Sequence, residues 1–293
     1  MKLAAIDIGS NAARLLIADV SKTQKGLQLI KSNLIRVPLR LGFDVFETNS
    51  ISSKRKEKLT KTIIAYRHLM DIYEIEGYKA CATSAMRDAC NGQEIIDEIF
   101  EKTGIKIEVI SGDKEAALIH ENHVAETLNK QNGYLYIDVG GGSTELTFYN
   151  NGKLVFKKSF NIGTIRLLKQ QVDITIWNEM KQFIKTHTKN CKTITGIGSG
   201  GNINKIFSLS KRKEGKPLSL DMLKDYYNEM SQLSVNERMQ FYKLREDRAD
   251  VLVPALLIYI NVLKWANAEE IFVPKIGLAD GLIHQLFDEL TSS

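Results

Sequence analysis

Tyr136–Phe148 reads YIDVGGGSTELTF: an apolar strand with one acid near its end, three glycines, two hydroxyls, a second acid, and strand again. A tight hairpin turns on two special residues. So much polar, glycine-rich backbone between two good β runs points to a turn whose main chain itself touches something small and charged. The same pattern occurs near the start of the chain. Ala4–Val20 (AAIDIGSNAARLLIADV) aligned with Tyr134–Asn150 (YLYIDVGGGSTELTFYN) at an offset of 131 residues brings Asp7 onto Asp138, Gly9 onto Gly140 and Leu15 onto Leu146. The offset is close to half the chain, too long for a solenoid unit. It predicts two similar α/β halves, each offering one glycine turn to a cleft between them. The alternative is two unrelated hairpins with the same turn chemistry. Against it stands the acid shared at the end of each apolar strand, because a carboxylate there is costly to bury unless it is paired or holds a metal.

The rest of each half fits the same plan. LQLIKSNLIRVPL reads as extended, and Ser52–Gly77 as a helix with Leu59, Ile63, Tyr66, Met70 and Tyr73 at helical spacing. KACATS reads as a strand, Gln93–Gly104 as a helix ending on a C-cap glycine, Lys106–Ile110 as a strand, and KEAALIHENHVAETLN as a helix. In the second half come KLVFKKSFNIG, a helix around Trp177–His187, the strand KTITGIG, and a helix after SGGN. Ser208–Ser219 reads as a basic loop, followed by the helices DMLKDYYNEMSQL and ADVLVPALLIYINVLKWA. Strands alternating with helices define an α/β protein with mixed sheets.

A chain of 293 residues with 26% charged and 43% hydrophobic residues has the composition of a globular protein large enough for two domains. The start MKLAAIDIGS meets an acid too soon for a signal peptide, and Val251–Leu263 is too short to span a bilayer. Cys81, Cys90 and Cys191 show no CxxC spacing, which suits a reduced, cytoplasmic setting. The net charge of +5 is a mild bias toward anionic partners and does not argue for nucleic acid.

Seven motifs occur in one order: AIDIGSN, ATSAMRDA, VISGDKEAALI, DVGGGSTEL, GIGSGG, RADVLVPALLIY and GLADGL. Together they resemble the exopolyphosphatase and guanosine pentaphosphate phosphohydrolase family, of the actin, sugar-kinase and Hsp70 superfamily, from Asp7 to about Leu286. The resemblance implies two ribonuclease H-like (actin-like ATPase) domains with mixed sheets flanking a central cleft. These would be residues 1–126, joined by the terminal helix 280–293, and residues 127–279. No His-Asp dipeptide occurs, in agreement with the short form of the family, which lacks the metal-dependent HD domain.

Asp7–Asn11 and Asp138–Thr144 read as two phosphate-binding turns. Gly9, Ser10 and Asn11, and Gly140, Gly141, Gly142, Ser143 and Thr144, would supply backbone N–H groups and hydroxyls to the phosphates. Similar sequences usually carry Ser where Ala12 stands. On the resemblance Glu115 is the catalytic base that activates water, with Lys114 beside it in place of a second Glu. An acid in a helix's first turn also complements the dipole. Glu145 and Asp138 are expected as the other catalytic acids, and with Asp7 they form the expected site for Mg2+ or Mn2+; the alternative for Glu145 is a solvent-facing strand residue. Arg87 resembles a bidentate phosphate ligand, or it pairs with Asp88; Arg166 is a weaker candidate of the same kind. Gly196, Gly198 and Gly201 match GxGxxG formally, but SLSKRKEGK follows where a Rossmann unit needs its second strand. On the resemblance, Gly198, Ser199 and Gly200 would line the channel for polyphosphate or guanosine, although the family's usual form is Gly-Gly-Thr. His120 and His123 are i, i+3 on a helix, best read as solvated. Lys211–Lys216 either draws in a polyanion or is a solvated loop.

Three functions compete on these residues. The favoured one releases terminal phosphate from inorganic polyphosphate or guanosine pentaphosphate. The others are a kinase or ATPase of the same superfamily, and a non-catalytic sensor of phosphorylated guanosine nucleotides. The resemblance also implies a homodimer, with no nucleic-acid or membrane partner.

Overall fold

The computed structural model describes residues 1–23, 26–120 and 132–292. Its chain divides into two compact units, Met1–Asn122 with Leu278–Ser293, and His123–Gly277. His123 and Glu126, and the end of the helix expected beyond His120, lie outside the described residues.

The first unit is built on β1 (Lys2–Ile8), β2 (Ala12–Thr23) and β3 (Gly26–Pro38). Helices α1 (Gly42–Thr48) and α2 (Ser53–Ile72) follow, then β4 (Gly77–Ala82), α3 (Ser84–Asp88), α4 (Gly92–Thr103), β5 (Glu108–Val109) and α5 (Gly112–His120). The sheet order is β3-β2-β1-β4-β5. β1 pairs antiparallel with β2 and parallel with β4, which makes it the central strand, and its KLAAIDI sequence is buried on both faces. Ser52 caps α2 by accepting the Arg55 N–H, and Leu59, Ile63, Tyr66 and Met70 form its buried stripe. The Tyr66 hydroxyl donates to the carbonyls of Ala13 (3.0 Å) and Ile35 (3.3 Å), tying α2 to β2 and β3. Gly104 closes α4 in the left-handed conformation, φ +67°. The strand expected over Lys106–Ile110 shrinks to Glu108–Val109, both exposed, where among the described residues it forms the sheet edge beside β4.

The second unit contains β6 (Gly133–Val139), β7 (Thr144–Asn150), β8 (Lys153–Phe160), α6 (Thr164–Leu168), α7 (Ile174–Thr188), β9 (Ile194–Ser199) and α8 (Gly200–Ser210). β10 (Leu218–Ser219), α9 (Leu220–Ser231), α10 (Val235–Phe241), α11 (Glu246–Ala249), α12 (Leu252–Trp265) and β11 (Glu270–Phe272) complete it. Its sheet runs β10-β11-β9-β6-β7-β8. Read from β8 to β11, it repeats the first sheet read from β3 to β5: an antiparallel meander of three strands whose innermost strand has a parallel neighbour. The almost wholly apolar α12 is buried among α6, α7 and α9 at the core of this unit. Two parts of the expected basic loop are ordered: Ser208–Ser210 ends α8, with the Ser210 hydroxyl on the Phe207 carbonyl, and Leu218–Ser219 is β10, paired with β11.

The last helix, α13 (Leu278–Thr291), belongs to the first unit and packs on β1, β2, β4 and α5. Among the described residues no helix is long and apolar enough to cross a membrane.

Candidate functional site: two glycine turns

The β1–β2 and β6–β7 turns have the same construction. The Gly9 N–H donates to Ala12 O (3.0 Å) and the Gly140 N–H to Ser143 O (2.9 Å). In the ladders Asp7 lies opposite Arg14, and Asp138 lies opposite Glu145. On the parallel neighbour, Asp7 is level with Cys81 and Asp138 with Ser199. The repeat therefore holds residue by residue, and its differences are chemical.

In the first unit the buried Asp7 carboxylate forms an ion pair with Arg14. Ser10 and Ser84 share a hydrogen bond between hydroxyls (2.8 Å), which fixes the first turn to the start of α3. The Asn11 carbonyl accepts the N–H groups of Leu39 (3.1 Å) and Arg40 (2.9 Å), and Ser10 O accepts that of Gly42 (2.9 Å). The segment after β3 thus braces the turn. Glu115 sits in the first turn of α5, its N–H bonded to Ser111 O at 2.9 Å. Cys81 links it to the turn: burial, then the carboxylates of Asp7, Glu115 and Glu108, push the thiol well up, with Lys114 opposing. Asp7 and Glu115 thus both act on the Cys81 thiol. Lys114 is turned to Glu108 (2.5 Å). Arg87 donates from Nη1 to Ile110 O (3.0 Å), and its Nε stands 3.7 Å from Asp88. It holds the chain as it enters α5, whatever it does toward a ligand.

In the second unit two acids face each other where the first unit has an acid and a base. Asp138 accepts at Oδ2 from the Ser199 hydroxyl (2.8 Å), and Glu145, only 3% exposed, accepts at Oε1 from Ser159 (2.8 Å). Gly200 has φ +84°, and a Cβ there would lie 2.7 Å from Asp138 Oδ1, so this position needs glycine on both counts. The glycine turn is held by the chain beyond β8: Gly140 O accepts from Thr164 N (3.0 Å), Gly141 O from Ile165 N (2.8 Å), and Gly142 O from Arg166 Nε (2.8 Å). Arg166 thus binds the turn's backbone. Thr144 donates its hydroxyl to Ile162 O (2.6 Å) and Ser143 is buried. Gly198 lies within the core, where a Cβ would stand 2.9 Å from Ile203 and Ile271, so packing alone accounts for glycine there. Tyr259 donates to Ser199 O (3.1 Å), and burial, followed by Asp138, pushes its phenol well up.

Sequence reasoning did not find Ser159, Gly163, Thr164 or Asn202. A Cβ on Gly163 would strike Gly141 O at 2.4 Å, and Asn202 donates to Val139 O (2.9 Å). The Gly-Thr pair within NIGTIR was the available signal, a turn chemistry like that of the glycine turns themselves. His187 is stacked on Phe183 and bonded to its carbonyl. Among the described residues no three His, Cys, Asp or Glu side chains gather as a metal site.

Two mixed α/β sheets of one topology, each with an acid-glycine turn after its central strand, define the actin-like ATPase fold. Residues 16–290 match the Ppx/GppA phosphatase family, and the chain belongs to it. It is 32% identical over 244 residues to the bifunctional 3-dehydroquinate synthase/phosphatase of Fusobacterium nucleatum, which covers 82% of this chain and 35% of that protein. It is 26% identical to the guanosine-5'-triphosphate,3'-diphosphate pyrophosphatase of Pseudoalteromonas translucida, over 99% of this chain and 60% of that one. The chain therefore spans between about a third and three fifths of the length of these relatives. The crystal structure of the Aquifex aeolicus Ppx/GppA family member superposes with a TM-score of 0.76 at 25% identity, covering 100% of this chain and 99% of that one.

Proposed function

We propose that the protein is a phosphohydrolase that releases terminal phosphate from inorganic polyphosphate or from guanosine pentaphosphate. The observation that carries this reading is the charge difference between two otherwise matched turns. At the first, Arg14 neutralises Asp7, so the turn's donors can meet an anion without an uncompensated acid behind them. At the second, Asp138 and Glu145 are direct cross-strand neighbours, two carboxylates of the kind that can hold a divalent cation between them.

That donor set fits Mg2+, which takes one or two carboxylates and completes its shell with water and substrate oxygens. Ser199 and Ser159 each hold one oxygen of these carboxylates and so orient them. Asp138 and Glu145 would hold the ion, and Asp7, already paired, is the least suited of the three acids. When bound, Mg2+ would neutralise phosphate charge. Glu115 takes the proton of the attacking water as its oxygen bonds to the terminal phosphorus. The bond from that phosphorus to the bridging oxygen breaks, and the shortened chain leaves with the electron pair.

The test is Glu115→Gln, which keeps shape but cannot accept a proton. Phosphate release from polyphosphate and guanosine pentaphosphate should fall in kcat by ~10²-fold or more, with affinity held or improved. A near-normal kcat removes Glu115 as base, and no release by the unmodified chain from either substrate removes the hydrolase reading.

A further inference from the structure

α2 carries a groove of about 410 Å³ that no step above uses. Lys54, Glu57, Lys58 and Lys61 line it along one face of the helix, with Val37 and Ala65 as its apolar part. Three ammonium groups against one carboxylate leave it net positive. The groove adjoins the first glycine turn. Lys58 Nζ donates to Pro38 O (2.6 Å), Pro38 pairs with Ala12, and the next two residues donate their N–H groups to Asn11 O.

The placement of charge on α2 is not explained by helix stability. Its first turn holds Lys54, Arg55 and Lys56 and no acid, the reverse of what the dipole favours. Away from the groove this charge is neutralised within the fold, Arg55 by Asp44 and Lys56 by Glu98 (2.6 Å) and Glu94 (3.0 Å). On the groove side Lys58 has a neutral carbonyl, and Lys61 has Glu57 (2.6 Å) in a pair exposed to solvent. From Lys54 to Lys61 the stripe runs ~10 Å along the axis, longer than a single phosphate can use. None of the lining residues is aromatic, so nothing there stacks a nucleobase.

We infer that this groove, beside the first glycine turn, binds the extended chain of inorganic polyphosphate. The inference rests on the phosphohydrolase reading and narrows its substrate class. Binding of long-chain polyphosphate and of tripolyphosphate is measured on the full chain at low salt, in a Glu115→Gln background so that neither is consumed, and kcat/KM for both is measured with Glu115 restored. Lys54→Ala with Lys61→Ala should weaken long-chain binding about three- to tenfold and leave tripolyphosphate unchanged, since exposed charge pairs are worth up to ~1 kcal/mol each. Glu57→Gln should act oppositely and tighten long-chain binding, because it removes the groove's one acid. Both effects should shrink in high salt. Equal loss for both substrates, no change for either, a Glu57→Gln protein that binds more weakly, or equal capture of a single-stranded oligonucleotide would each overturn the groove. If the unmodified chain releases no phosphate from any substrate, the hydrolase reading fails while the binding series still decides the groove.

Discussion

Gly281, far from Glu115 in sequence, is expected to control it. In α13 a Cβ at this position would lie 1.9 Å from the backbone oxygen of Leu118, one turn beyond Glu115 in α5. Two effects oppose each other in Gly281→Ala. Alanine is the better helix former by ~1 kcal/mol. The Cβ, however, meets backbone rather than a side chain that can swing away, so α5 or α13 must shift, and such overpacking costs ~1–3 kcal/mol. The net change is a loss of up to ~2 kcal/mol, a fall in melting temperature of a few degrees. If α5 is the element that yields, Glu115 moves with it, and a displacement near 1 Å at a reacting group costs ~10²-fold. The measurement is kcat for phosphate release beside the thermal midpoint, with Leu286→Ala as control. Leu286 is buried in the same unit, so its truncation costs ~2–5 kcal/mol without pressing on Leu118. Gly281→Ala should lose far more activity than the control for less lost stability. A Gly281→Ala protein with a lowered midpoint and unchanged kcat refutes the reasoning, because α5 would then not be what the added methyl displaces.

Gly200→Ala puts an L side chain at φ +84°, a strain of ~1–2 kcal/mol, and drives its methyl against Asp138. The Mg2+ concentration needed for half-maximal activity should rise; an unchanged metal titration argues against Asp138 as a ligand. Activity should vanish in excess chelator and return with Mg2+ or Mn2+, and full activity in chelator removes the metal assignment.

The strands and turns were legible because their signals are local. Lys2–Ile8 and Gly133–Val139 are apolar runs that end in an acid and glycine, and the positions flanking them match at one offset throughout both hairpins. The supports were not legible, because each joins residues remote in sequence: Ser159 to Glu145 across the β7–β8 pair, Gly163 under Gly141, Gly281 against Leu118. Packing of this kind leaves only a glycine or serine behind, and many such residues mark ordinary turns. The most informative difference lay between these cases. The same offset that sets Asp7 over Asp138 sets Arg14 over Glu145, so the charge reversal was present in the aligned residues. Its meaning depends on register, since Arg14 and Glu145 bear on their acids only if each is the direct cross-strand neighbour, and a one-residue slip would put them on the opposite face. With the register known, Asp7–Arg14 is a neutral pair and Asp138–Glu145 a doubly acidic one. Duplicated backbones thus carry different charges beside their glycine turns, an acid opposite a base in the first unit and an acid opposite an acid in the second.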